Sequence, residues 1–342
     1  MLNLFLRGLE MNAKNTPKKI LIIKLRKLGD VLLTTPLVRQ IRILYPHAQI
    51  TFLSEPLGAQ VFINSSKVDR IWKLNKKPTI IEYLTLCYKV YKEHFDLVID
   101  LYDHNKTALI TLVSRANTRM GYIKENKKSL SYNYPFHLPD SIRNKVYNTL
   151  HGLIMTKILG TNEEDLHIEY PVSQEDVDFS AQFSLAHLKN NTIVFCAQSE
   201  RAGAQVPISL LVKIGNFLIK KGYFLYFVYG PGEKEMAGNV YNKINQPKHC
   251  LIEYDIPSIA QVRAIFERCI MYVGNDGGNK HLAVAAKIPT IGLFYGDAPS
   301  AWTPPKQDTH RYLQTKNNKT AFDDFVVMFE RWDYGKKQFV ND

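Results

Sequence analysis

From end to end the chain alternates short apolar runs with amphipathic ones, and this alternation restricts the possible folds more than any other feature. Lys19–Lys24 (KILIIK) reads as an apolar strand and Val31–Leu44 as an amphipathic helix closing at Pro46. Gln49–Leu53 and Val68–Leu74 read as strands, Thr79–Glu93 as a helix, and Phe95–Leu101 (FDLVIDL) as a buried strand. Apolar strands separated by helical patterns are the rhythm of a parallel sheet, because each parallel connection must cross back over the sheet and covers it with a helix. The rhythm breaks from about 124 to 140, a polar, basic stretch rich in Tyr and Asn that reads as a loop, and a helix follows at about 144–159. Thr161–Asp176 is acidic and irregular, and is the expected domain junction. The alternation then restarts, with strands at Thr192–Ala197, Tyr223–Tyr229, Cys250–Glu253, Ile270–Val273 and Thr290–Phe294. The helices between them are Ile208–Lys221, Glu233–Ile244, Ser258–Arg268 and Gly278–Lys287, with a last one near Thr320–Trp332. The expected organisation is two α/β domains, 1–170 and 171–315, and a helical segment, 316–342, that packs back on the N-terminal domain.

With 45% hydrophobic and 22% charged residues over 342 positions, the composition is that of a globular protein large enough for two cores. No apolar run approaches the ~20 residues of a membrane-spanning helix. The first 19 residues are mildly apolar but lack the early basic region and long apolar core of a signal peptide. They read as a frayed extension, with a membrane-surface foot through Leu2, Phe5, Leu6 and Leu9 as the alternative. Cys87, Cys196, Cys250 and Cys269 are scattered, without metal-ligand or redox spacing, and read as reduced thiols of a cytoplasmic protein. The net charge of +12 suits an acidic partner such as a nucleotide, a phosphorylated glycan or an anionic membrane. No nucleic-acid-binding signature accompanies the basic residues.

Three strand-to-helix turns carry polar residues that a purely structural turn does not need. The first, Lys24-Leu-Arg-Lys-Leu-Gly29-Asp30, follows the first strand. Asp30 is either the helix N-cap or, because ligands of open α/β sheets bind beyond the carboxyl ends of the strands, a general base. The second is Val273-Gly-Asn-Asp-Gly-Gly278. Its glycines allow close backbone approach to a ligand, and the following helix offers free N–H groups to a phosphate. Asp276 would repel phosphate and so suits sugar hydroxyls, while His281 falls on the first helical turn. The third is Tyr229-Gly-Pro-Gly-Glu233, where Glu233 either bonds a ribose diol or starts a helix. Asp176-Val-Asp178 resembles a metal-binding D-x-D but sits at an acidic helix start rather than after an apolar strand, so no metal site is assigned.

Together these segments resemble the ADP-heptose:lipopolysaccharide heptosyltransferases, glycosyltransferase family 9. The resemblance rests on Ile22–Arg42 (IIKLRKLGDVLLTTPLVRQIR), Tyr229–Glu233 (YGPGE) and Val273–Phe294 (VGNDGGNKHLAVAAKIPTIGLF), in the family's order and spacing. It implies a GT-B fold: two Rossmann-like, doubly wound domains facing across a cleft, the first for the acceptor and the second for the nucleotide sugar. It implies an inverting transfer of heptose from ADP-heptose to a Kdo- or heptose-bearing lipid, with no cofactor and no metal. The enzyme would be peripheral on the cytoplasmic face of the inner membrane. Asp30 resembles the family's general base, Glu233 its ribose ligand and Asp276 its donor-sugar ligand, with the glycines and helix start receiving the diphosphate. Lys24, Lys27 and Gly29 are expected on the acceptor side. Ser199, Arg201, Glu233, Ile256, Asp276, Gly277, Gly278 and His281 are expected on the donor side.

Two departures fall on the donor side. Where the family has a Ser/Thr-rich turn followed by Lys and Trp-Pro, this chain has QSERAGAQVP, Gln198–Pro207. Ala204 then stands at the phosphate-neutralising lysine and Val206 at the tryptophan, with Arg201 the expected replacement charge. Where the family has G-P-T-D-P, this chain has YGDAP, Tyr295–Pro299. A nucleotide-sugar-binding protein with weak catalysis, or a GT-B sugar-nucleotide epimerase, is the alternative expectation.

Overall fold

Four consecutive apolar residues of β1 (Lys19–Lys24) are completely buried, the mark of a strand covered on both faces in a parallel sheet. The computed structural model describes residues 16–102, 104–123, 130–138, 144–199, 203–230, 232–256, 258–296, 298–305 and 308–339, with side chains of the last helix described to Asp333. The chain divides into two compact units, Met1–Pro171 and Val172–Asp342.

In the first unit β1 is followed by α1 (Leu28–Leu32), α2 (Thr35–Leu44), β2 (Gln49–Ser54), α3 (Pro56–Ala59), β3 (Arg70–Lys73) and α4 (Ile80–Glu93). Then come β4 (Leu97–Asp100), α5 (Asn105–Val113), β5 (Thr118–Tyr122), β6 (Tyr134–Phe136) and α6 (Asn148–Met155). All strand pairs are parallel, in the order β3-β2-β1-β4-β5-β6. α4 begins where its sequence says it should: Thr79 Oγ1 accepts from the Glu82 backbone N–H, and the Glu82 carboxylate accepts from the Thr79 N–H at 2.7 Å. The irregular segment after α6 is held to α2, where Arg39 contacts Asp165 at 2.7 Å and Gln40 donates to the Asn162 carbonyl at 3.0 Å.

The second unit runs α7 (Gln174–His187), β7 (Thr192–Cys196), α8 (Ile208–Lys220), β8 (Phe224–Phe227), α9 (Lys234–Tyr241), β9 (Cys250–Leu251) and α10 (Ile259–Phe266). It continues with β10 (Met271–Asn275), α11 (Gly278–Ala285), β11 (Thr290–Phe294), α12 (Pro299–Trp302), β12 (His310–Gln314) and α13 (Ala321–Phe339). Its sheet is again parallel throughout, in the order β12-β11-β10-β7-β8-β9. All four cysteines are free thiols.

Several expectations need correction. The helix expected over Val31–Leu44 is two helices. Pro36 supplies no N–H to the preceding turn, and the Thr34 and Thr35 hydroxyls donate to the Val31 and Leu32 carbonyls at 2.7 and 2.8 Å. The first of the two starts early, so Asp30 is its third residue and not its cap; Lys27 occupies the cap. The stretch expected as a loop from about 124 to 140 contains edge strand β6, although 124–129 and 139–140 lie outside the described residues. The last helix finds its partners in the second unit. Phe325 and Phe329 are completely buried in that unit's core, Phe217 of α8 meets both rings edge-on, and the Tyr223 hydroxyl donates to Asp333.

Gly274 shows how closely the second sheet is packed. A Cβ there would lie 2.2 Å from the Cys196 carbonyl oxygen on the neighbouring strand, and its φ is +155°. Strand packing alone therefore requires glycine here. Gly274→Ala should lower the unfolding free energy by at least ~2 kcal/mol in urea titrations. Gly277→Ala, where a Cβ meets nothing within 4 Å, should cost less than ~1 kcal/mol. Equal losses would contradict this division of roles.

Candidate functional site

In each sheet the strand order reverses beside the first strand, between β1 and β4 and between β7 and β10. The loops leaving the carboxyl ends of such a pair run in opposite directions and leave a crevice. In the first unit Lys24, the last residue of β1, sends its ammonium across that point to the Leu101 carbonyl at 2.9 Å. The Arg26 guanidinium lies 4.8 Å from the centre of the Tyr102 ring, tying the two loops a second time. Asp100 closes β4. It is fully buried and accepts from the Tyr132 hydroxyl at 2.7 Å and the Tyr102 backbone N–H at 3.0 Å. Burial pushes its carboxyl up to about 6, against hydrogen bonds from Tyr132, Thr107 and Tyr102 and the Lys24 charge. Burial likewise lowers the Lys24 ammonium, which the Asp30 charge opposes, Arg26 reinforces and Asp100 opposes.

Lys24, Asp30 and Asp100 thus form one electrostatic group. Asp30 is half-exposed in the first turn of α1, where the helix dipole favours a carboxylate. Gly29 precedes it, and Lys27 is exposed at the cap. Asp100 was absent from the candidates read from sequence. Its signal was there: of the two acids in the run FDLVIDL, Asp96 stands near the start and Asp100 at the far end of the apolar stretch.

In the second unit the reversal point is laced by amides. Asn275, fully buried at the end of β10, accepts the Val206 N–H at 2.9 Å. Gln205 accepts the Ser199 N–H at 2.8 Å and donates to the Ala197 carbonyl at 2.9 Å, closing the loop after β7 on itself. Gln198 donates to the Val228 carbonyl at 2.8 Å and to a Glu233 carboxylate oxygen at 3.2 Å. The same Glu233 oxygen accepts the Gly230 N–H at 2.8 Å. Glu233 therefore both precedes a helix, as its N-cap residue, and presents a fixed carboxylate. The sequence reading passed over all three amides, since Gln and Asn between functional-looking residues carry no pattern of their own. Tyr254 stacks on Tyr229 with ring centres 5.1 Å apart, and half-buried Ile256 lies on the same loop after β9.

A buried lysine anchors the turn after β10. Lys280 is 1% exposed, and its ammonium reaches the Asp276 carboxylate at 2.5 Å and the Trp302 carbonyl at 2.8 Å. It also sits 4.5 Å from the centre of the Phe294 ring. A Cβ on Gly292 would come within 2.9 Å of the Lys280 chain, so that glycine makes room for it. Asp276 is thus held as part of an ion pair, beside Gly277 and the start of α11 at Gly278. His281 is buried against Trp302, with ring centres 6.0 Å apart. Arg201, with Glu200 and Ala202, lies outside the described residues. The Cβ of Ala204 lies 3.9 Å from where a Cβ of Gly296 would stand. The D-x-D acids are engaged in starting α7: Asp176 forms a capping box with Ser173, and Asp178 accepts from Gln174 at 2.9 Å.

Residues 84–325 match the family model of glycosyltransferase family 9 (heptosyltransferase). The lipopolysaccharide core heptosyltransferase OpsX of Haemophilus influenzae is 22% identical, with 81% of this chain and 79% of that protein aligned. Among solved structures, the glycosyl transferase family 9 protein of Veillonella parvula superposes with a TM-score of 0.75 at 19% identity, over 91% of this chain and 90% of that one. Heptosyltransferase WaaC of E. coli, solved with ADP-2-deoxy-2-fluoro heptose, superposes with a TM-score of 0.66 at 19% identity, over 92% and 99%.

Breaking a buried ion pair from one side leaves an uncompensated charge. Lys280→Met should therefore destabilise the protein by about 3–5 kcal/mol. Adding Asp276→Asn to it should recover at least ~1 kcal/mol of that loss. Strictly additive effects in a denaturation-based double-mutant cycle would show that the two side chains are not coupled.

Proposed function

The chain belongs to glycosyltransferase family 9, and from that membership we propose its reaction: transfer of a heptose from ADP-heptose to a Kdo- or heptose-bearing lipid acceptor in lipopolysaccharide core assembly. The observation that carries this reading is that each unit places a carboxylate at its switch point, Asp30 at one and Asp276 at the other. Family membership favours transfer over the epimerase alternative.

The chemistry follows from these groups. Asp30 takes the proton of the acceptor hydroxyl, whose oxygen attacks the anomeric carbon as the bond to the diphosphate breaks. ADP leaves from the face opposite the attack, so the anomeric centre inverts. Lys24 and Asp30 lie in one electrostatic neighbourhood, where the Asp30 charge acts on the Lys24 ammonium. On the donor side, the carboxylate of Glu233 suits a ribose diol and that of Asp276 the sugar hydroxyls. The backbone N–H groups at the start of α11 suit the diphosphate. No metal is assigned a step, because phosphate charge can be met by N–H groups and basic side chains and the D-x-D acids serve α7. None of the described helices is long and apolar enough to cross a membrane. The proposed lipid-borne acceptor is the reason for assigning the enzyme a peripheral place at the cytoplasmic leaflet of the inner membrane. Ala204, where the family has lysine, supports a second reading as a nucleotide-sugar-binding protein without turnover.

Purified protein should release ADP from ADP-heptose only when acceptor is present. Conversion of the nucleotide sugar without acceptor would favour the epimerase reading, and donor binding with no turnover under any condition would favour the binding protein. Asp30→Ala should reduce turnover by at least ~10²-fold and leave the dissociation constant for ADP-heptose within about twofold, because the base acts in the transition state and the donor is held elsewhere. Near-normal turnover of the folded variant would return Asp30 to a purely structural part in α1.

A further inference from the structure

α4 carries two apolar faces, and only one is used by the fold. Leu86, Cys87 and Val90 are buried against the sheet. Ile80 and Ile81 are each 78% exposed, Leu84 58% and Tyr88 62%, and Tyr91 is exposed as well. At about 100° per residue these five side chains fall within a sector of ~100° on the helix, so they form one stripe rather than scattered positions. The neighbouring helix also exposes apolar side chains. α5 is joined to α4 by the Tyr83 hydroxyl, which donates to the Lys106 carbonyl at 2.7 Å, and it exposes Leu109 and Leu112. Single exposed aliphatics are ordinary, but a stripe of five side chains on one helix marks an interaction surface.

Among the described residues around the stripe, cations outnumber acids. The Lys92 ammonium lies 5.6 Å from the Tyr88 ring centre and the Arg115 guanidinium 4.9 Å from that of Tyr91, so cations sit at its edge. Lys76, Lys77 and Lys89 are exposed on or just before the same helix. Of the two acids of α4, Glu82 is held in the capping box at the helix start, and Glu93 is paired with Lys19 at 3.1 Å and Arg70 at 3.0 Å. From His104 to Arg119 the sequence has no acid at all. Aliphatic side chains for the acyl boundary, tyrosines for the headgroup level and a cationic rim are the components of a surface that lies on an anionic bilayer.

We propose that the exposed face of α4, together with the adjoining edge of α5, docks this chain onto an anionic phospholipid bilayer. The orientation is useful. In a parallel sheet the crossover helices begin at the carboxyl edge, so Ile80 and Ile81 after β3 and the start of α5 after β4 lie toward the edge that holds Lys24 and Asp30. The surface stands on its own residues. Only its use in presenting a lipid-borne acceptor rests on the transfer reading above.

The test is co-sedimentation of the full chain with vesicles that contain neither donor nor acceptor, so that its outcome is independent of turnover. Wild-type protein should bind phosphatidylglycerol–phosphatidylethanolamine vesicles at least ~10-fold more tightly than phosphatidylcholine vesicles. The fourfold variant Ile80→Ser, Ile81→Ser, Leu84→Ser, Tyr88→Ser should lose at least ~10-fold of that binding. The pair Lys77→Glu and Lys92→Glu, which leaves the apolar stripe intact, should also bind more weakly. Binding by the fourfold variant equal to wild type overturns the proposal, as does equal wild-type binding to both vesicle types. A wild-type dimer in sedimentation that the fourfold variant converts to monomer would assign the face to a second copy of the chain and overturn it equally.

Discussion

Everything functional in this molecule depends on one consequence of parallel pairing: all strands of a sheet end at the same edge. Where the chain doubles back beside its first strand, two neighbouring loops must part, and the groups they carry face a common crevice. Both units do this, and both bridge the parting with a polar side chain from the strand end. In the first unit it is the Lys24 ammonium on the Leu101 carbonyl, and in the second the Asn275 side chain on the Val206 N–H. Such bonds fix the loops without filling the crevice.

The two edges solve their electrostatics differently. At the first, Lys24, Asp30 and Asp100 share one neighbourhood, and burial works on Lys24 and Asp100 toward their neutral forms. At the second, the charge is held as a pair. Lys280 lies along the space left by Gly292, under the Phe294 ring, and neutralises Asp276 from within the protein. A lysine so placed is costly to desolvate unless paired, and the pair fixes where the carboxylate points.

Much of this was legible in the sequence. KILIIK and TIGLF read as strands with the observed bounds, because a parallel strand buried on both faces leaves an unbroken apolar run. The turns carrying Asp30, Glu233 and Asp276 were recognisable because acids and glycines interrupt such runs. What escaped detection had no run to interrupt. β12 (HRYLQ) and β6 (YPF) are edge strands with one partner each and polar or short sequences. α5 (NKTALITLV) mixes apolar and β-branched residues around its whole circumference, and its exposed leucines blur the helical period. Nothing in the sequence marks Lys280 as buried; only the fold shows that the neighbouring strand omits a side chain to receive it. The break at Thr34–Thr35 was visible in Pro36 and was passed over because the apolar spacing continues across it.

The central claim is that the nucleotide is held by the loops that part between β7 and β10. Backbone hydrogen exchange with and without ADP tests it most directly. Saturating ADP should slow exchange of the amides at Gly203–Val206 and Gly277–His281 by at least ~10-fold and leave Leu25–Asp30 of the first unit unchanged. Protection of Leu25–Asp30 with no change at Gly277–His281 would place the nucleotide in the wrong unit and contradict the account.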